Sequence, residues 1–63
     1  MFNYANHALH LYYTSAEDAS EFIHKCAKKI ITHSQNIEFV FEDESSVICK
    51  IEKDKISQMV IRK

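Results

Sequence analysis

The stretch AEDASEFIHKCAKKIITH, from Ala16 to His33, carries the only sustained helical period in the chain and therefore most limits what the rest can become. Stepping successive residues by about 100° gathers Ala19, Phe22, Ile23, Cys26, Ala27 and Ile30 into one stripe, while Glu17, Glu21, His24, Lys25 and Lys28 fall opposite. A helix with one apolar face needs a second layer to pack on. Thr14 and Glu17 fit a capping box at its start, with Ser15 and Asp18 a poorer version of the same pattern. Early acids, with Lys28 and Lys29 late, complement the helix dipole. Ser34, Gln35 and Asn36 break the period, and Asn36 suits a left-handed C-terminal turn.

The flanking segments read as strands. Residues 1–6 lack a clean period and read as a loose lead-in or as an extension of the first strand. From His7 to Thr14, Leu9, Leu11 and Tyr13 alternate with His10 and Tyr12, which predicts a first strand. After the helix, Ile37, Phe39 and Phe41 alternate with Glu38, Val40 and Glu42, and Val47, Cys49 and Ile51 with Ile48, Lys50 and Glu52. An Asp43-Glu44-Ser45 loop pairs Phe41 with Val47, Phe39 with Cys49 and Val40 with Ile48, and sets Glu38 against Lys50. Ser45 then takes the loop position that usually prefers glycine. A Lys53-Asp54-Lys55 turn sets Met59 beside Cys49 and Ile61 beside Val47. The expected architecture is α+β in the order β-α-β-β-β, one helix lying on one face of a mostly antiparallel sheet of three to four strands. The first strand joins either parallel to the second or beside the last.

Sixty-three residues make one domain, 1–63, with a small core. The chain has no glycine and no proline, so its turns rest on Asn, Asp, Ser and Lys, and a glycine-rich phosphate cradle is excluded. No apolar run is long enough to span a membrane and no secretory leader is evident, which makes a cytoplasmic protein the expectation. Cys26 and Cys49 fall at apolar positions and read as buried, reduced thiols.

The registers place Val40, Ile48 and Val60 in one row on the sheet face away from the helix, with Ile56 nearby and Tyr12 on the same side. Glu38, Lys50 and Gln58 flank that row on one side, and Glu42, Ser46 and Arg62 on the other. An aliphatic strip with a polar rim is the pattern of a protein contact, either with a partner or as a homodimer.

No chemistry-bearing constellation competes with that surface. His7 and His10 would point to opposite faces of a strand, and no Cys and His pair shows zinc spacing. A Cys-His nucleophile would need an exposed thiol, so neither enzyme activity nor a cofactor is expected. The acids Glu42, Asp43 and Glu44 read as a solvated hairpin tip. The rival reading is nucleic-acid binding through Lys25, Lys28 and Lys29 on the helix with Arg62 and Lys63 at the C-terminal end. Against it stand a net charge of -1 and a sheet face with valine and isoleucine where base-stacking aromatics would sit. The sequence reads as a small non-enzymatic protein that occupies a protein surface, a form common among phage or mobile-element inhibitors of host machinery.

Overall fold

The computed structural model describes residues 3–62. It is α+β, with two helices followed by a four-stranded antiparallel sheet: α1 Tyr4–Thr14, α2 Ala16–Cys26, β1 Ala27–Thr32, β2 Ile37–Phe41, β3 Ser46–Glu52 and β4 Lys55–Ile61. The strands lie side by side in chain order.

Two elements differ from the expected order. The predicted first strand is helix α1, because the alternation of Leu9, Leu11 and Tyr13 is a short fragment of a helical pattern that begins earlier. Ala5 and Ala8 are fully buried on α1, and Tyr4, Leu11 and Tyr12 pack against the same core. Asn3, within the supposed lead-in, is the N-cap of that helix, its side chain accepting from the Asn6 N–H at 2.9 Å. The long helix in turn ends at Cys26. Ala27 turns to extended backbone, φ -70 and ψ 126, and the β-branched run Ile30-Ile31-Thr32 continues as β1. Ala27 and Ile30 therefore sit on a strand, and Ile30 is 61% exposed. Ser15 alone links the two helices. Its N–H closes α1 on the Leu11 carbonyl at 2.7 Å, and its Oγ accepts from the Asp18 N–H at 3.3 Å to start α2. The cap of α2 is thus Ser15 rather than Thr14.

The β2–β3 hairpin turns one residue earlier than expected, on Glu42, Asp43 and Glu44, with Glu44 in the left-handed region at φ 69. Its register therefore moves by two residues, to Ile37 with Cys49, Glu38 with Ile48, Phe39 with Val47 and Val40 with Ser46. A shift of two keeps every side chain on its face. The β3–β4 hairpin turns on Lys53 and Asp54 alone, both left-handed at φ 53 and φ 66, as a tight two-residue turn requires. An irregularity beyond Lys50 takes up one extra residue, Ser57, whose hydroxyl donates to the Lys50 carbonyl at 3.2 Å. That residue restores the expected pairing of Cys49 with Met59 and Val47 with Ile61.

The two helices pack on one sheet face, the inner face. Phe41, Ile23, Val47 and Cys49 are the largest fully buried side chains. Each of the larger ones contributes about 1.5–3 kcal/mol by leaving water. Tyr4, Phe22 and Phe41 meet with ring centroids 5.8 to 6.1 Å apart, tying both helices to β2. The first helical N–H groups of α1 are satisfied from far along the chain. The Tyr4 N–H donates to Asp43 Oδ2 at 3.1 Å, and the Ala5 N–H donates to Ser45 Oγ at 3.1 Å. Asp43 Oδ1 in turn accepts from both the backbone N–H and the hydroxyl of Ser45.

Asp43 is therefore a structural acid, unlike its neighbour Glu42 on the same tip. Asp43→Ala is expected to lower the melting temperature by several degrees through loss of a helix cap, with Glu42→Ala leaving it within error. Thermal unfolding followed by circular dichroism compares the two, and equal effects would count against the assignment.

Candidate interaction surface

The outer sheet face is built from residues that alternate away from the core. One row crosses all four strands as Ile31, Glu38, Ile48 and Val60, and the next runs Lys29, Val40, Ser46 and then Arg62, whose N–H donates to the Ser46 carbonyl at 3.1 Å. No described element packs over this face. Ile31, Val40 and Ile48 are half-buried by their own neighbours, and Val60 is 46% exposed.

The shifted register changes the expected strip. Val40 no longer lies in line with Ile48 and Val60, and Glu38 takes its place in the row. Glu38 lies beside Ile48 rather than Lys50, and it is buried at 3% exposure. Arg62 Nη1 donates to Glu38 Oε1 at 2.8 Å, and His33 Nε2–H donates to the same oxygen at 3.3 Å. Burial pushes the Glu38 carboxyl up, but hydrogen bonds from His33, Ser46 and Arg62 outweigh it and hold the group below its ordinary value. The carboxylate therefore stays ionised inside an aliphatic row with its charge compensated. Lys50 pairs with Glu52 at 3.5 Å on the strand end beyond it.

Three expected members of the surface lie elsewhere. Tyr12 is on α1 and packs against the core, because its segment is helical. Ile56 pairs with Ile51 and faces the helix side, because the Ser57 irregularity reverses the alternation below it. Glu42 belongs to the hairpin loop and is exposed there. Ile31, on β1 opposite Glu38, also belongs to this surface, and the helical period that runs through it in the sequence conceals it.

The residues of the nucleic-acid reading are dispersed. Lys25 lies on α2 within 3.3 Å of Glu21, and Lys28 reaches Glu44 at 2.6 Å, a hydrogen bond that raises its pKa. Lys29 on β1 and Arg62, which follows β4, lie at opposite edges of the sheet. Lys63 lies outside the described residues.

Cys49 is fully buried, and desolvation pushes its thiol up to about 11. Cys26 is half-buried, and both cysteines are free. His24 Nδ1–H donates to the Ser20 carbonyl at 2.8 Å, and the His7 ring stands edge-on to Phe22 at 4.7 Å. Among the described residues, no group of three or more His, Cys, Asp and Glu is placed to hold a metal ion. No described helix is long and apolar enough to cross a membrane. Compared with protein-family models, curated proteins and solved structures, the chain matches none of them.

Two measurements check this description. A carboxyl held below its ordinary value stabilises the fold above that value, and the stabilisation is lost as pH falls through the lowered one. For Glu38 the ordinary value is 4.5 and for Asp43 it is 3.8, so the melting temperature is expected to fall progressively below about pH 4.5. Glu38→Gln should flatten that dependence. Arg62→Ala, which leaves the buried carboxylate with fewer donors, should cost about 1 kcal/mol at neutral pH, the low end for an unsatisfied charge because Arg62 is half-exposed. In the second measurement, a thiol reagent should modify Cys26 first and reach Cys49 only at the rate of global unfolding. Equal rates would place Cys49 nearer the surface than its burial implies.

Proposed function

We propose that this is a small non-enzymatic binding protein whose outer sheet face docks onto a protein partner and occupies that partner's surface. The observation that carries the reading is the row Ile31, Ile48 and Val60, with Val40 beside it, on a sheet face over which no described element packs. Its one central charge, Glu38, is already neutralised by Arg62, so covering the row does not strand an unpaired ion. On the same face Lys50 is paired with Glu52 and Arg62 with Glu38, so Lys29 is the remaining rim cation, which favours a partner whose apolar patch carries an acidic residue at its edge. Phage or mobile-element inhibitors act in this manner, by steric occupation of a partner's surface.

A dispersed set of lysines, two of them paired with glutamates, gives the nucleic-acid alternative less support. Weak retention on heparin or single-stranded DNA that vanishes at moderate salt is the behaviour expected of it.

Val60→Asp and Ile48→Asp are expected to abolish capture of the partner from the source cell, or self-association where the partner is a second copy, with the far-ultraviolet spectrum unchanged. Co-purification followed by light scattering separates the two. Unchanged capture and unchanged particle mass in both variants would remove this face from consideration.

A further inference from the structure

The helix pair covers the inner sheet face incompletely. A groove of about 870 Å³ opens between the N-terminal half of α2 and the end of the sheet that carries the β3–β4 turn. Its floor is aliphatic and aromatic: Ile37, Phe39, Ile51 and Ile56. Ile51 is 39% exposed on that floor, and Ile30, on the same sheet face in β1, is 61% exposed. Burying these side chains would return the part of the sheet's apolar surface that the short helices leave in water.

The walls are polar and their charge is one-sided. Glu17 and Glu21 project from α2 and Asp54 from the turn, against Lys55 as the one formally charged cation among the described lining residues. Glu17 also serves the first turn of α2, but Glu21 lies beyond that turn and Asp54 belongs to another element. The acidic rim is therefore not accounted for by helix capping. Lys25 approaches Glu21 at 3.3 Å, but both side chains are more than two-thirds exposed, so the pair is solvated and exchangeable.

We propose that this groove receives a basic amphipathic segment of a partner protein, its apolar side chains on the isoleucine floor and its Lys or Arg residues along Glu17, Glu21 and Asp54. The volume lies toward the upper end of the range of roughly 300–1,000 Å³ that pockets for discrete ligands occupy, enough for more than one anchoring side chain. A compact polar ligand would need donors and acceptors on the floor, and the floor offers hydrocarbon. An acidic segment would meet three carboxylates. The amphipathic basic segment satisfies both conditions, in the manner of a helix laid into a groove.

The test uses the full chain and two fluorescent amphipathic peptides of the same leucine pattern, one with lysine on its polar face and one with glutamate, followed by fluorescence anisotropy. The lysine peptide is expected to bind, and the glutamate peptide to bind at least roughly tenfold more weakly, a difference of about 1.4 kcal/mol. The exposed double variant Glu17→Gln with Glu21→Gln, which leaves the core intact, should weaken the lysine peptide and reduce its salt dependence. Ile51→Asp should abolish its binding, whereas Val60→Asp on the opposite sheet face should leave it unchanged. No affinity for either peptide, or equal affinity for both, overturns the proposal. So does a dimer that Ile51→Asp converts to monomer, because a second copy would then be the occupant.

Discussion

The contact between the β2–β3 hairpin tip and the start of α1 holds the two halves of this fold together. A helix begins with N–H groups that have no partner of their own, and in α1 these are met by Asp43, Ser45 and Asn3 in turn. Two of those three acceptors lie about forty positions along the chain from the groups they satisfy. The carboxylate also sits where the helix dipole is positive, and its hydrogen bonds to Ser45, Tyr4 and the loop backbone hold its pKa below the ordinary range. The same Asp43 shapes its own loop by accepting from Ser45. Loop shape then sets the register of β2 with β3, and that register moves Glu38 opposite Ile48 and into cover. One short acidic turn thus determines how the helices dock, how the hairpin pairs and which charge is buried on the outer face.

Much of the strand half was legible because its apolar residues alternate over long enough runs. The β3–β4 pairing of Cys49 with Met59 and Val47 with Ile61 follows from that alternation, and so does the assignment of Phe39, Phe41, Val47 and Cys49 to the inner face. The N-terminal half was not legible for a specific reason. Six residues of Leu, His and Tyr satisfy a period of two and a period of 3.6 equally well, and the residues that separate the readings, Asn3, Ala5 and Ala8, are polar or small and carry little hydrophobic weight. Alanine in a helix signals close approach rather than bulk, and a pattern read by bulk passes over it. The end of α2 was hidden by the reverse effect. Ala27 and Ile30 continue the stripe of α2 by angle, so the β-branched run at Ile30-Ile31-Thr32 was the one local cue that a strand had begun.

The surface reading was altered rather than replaced. Moving the hairpin by two residues kept Val40, Ile48 and Val60 on the outer face but broke their line and put Glu38 at its centre. Cross-strand charge pairing of Glu38 with Lys50 is worth less than about 1 kcal/mol, and it could not compete with the helix cap that fixes the loop. The groove under α2 was beyond reach of the sequence, since it depends on how far two short helices extend over the sheet. The two sides of the sheet consequently differ in character: one is flat, aliphatic and fringed mainly by lysine and arginine, the other concave, aliphatic and fringed mainly by carboxylates.

Strand order carries a consequence for how the chain assembles. Each strand of the sheet pairs with its immediate neighbour in sequence, so β1 to β4 can zip together through turns of two to four residues at little entropic expense. The union of Tyr4 and Ala5 with the hairpin tip closes a far longer loop than any of these turns, and it requires the hairpin to exist already. A ribosome emitting this chain would release the helices first and the sheet that caps them last. Residues 4 to 26 thus leave the exit tunnel ahead of Asp43 and Ser45, the acceptors that complete the first turn of α1.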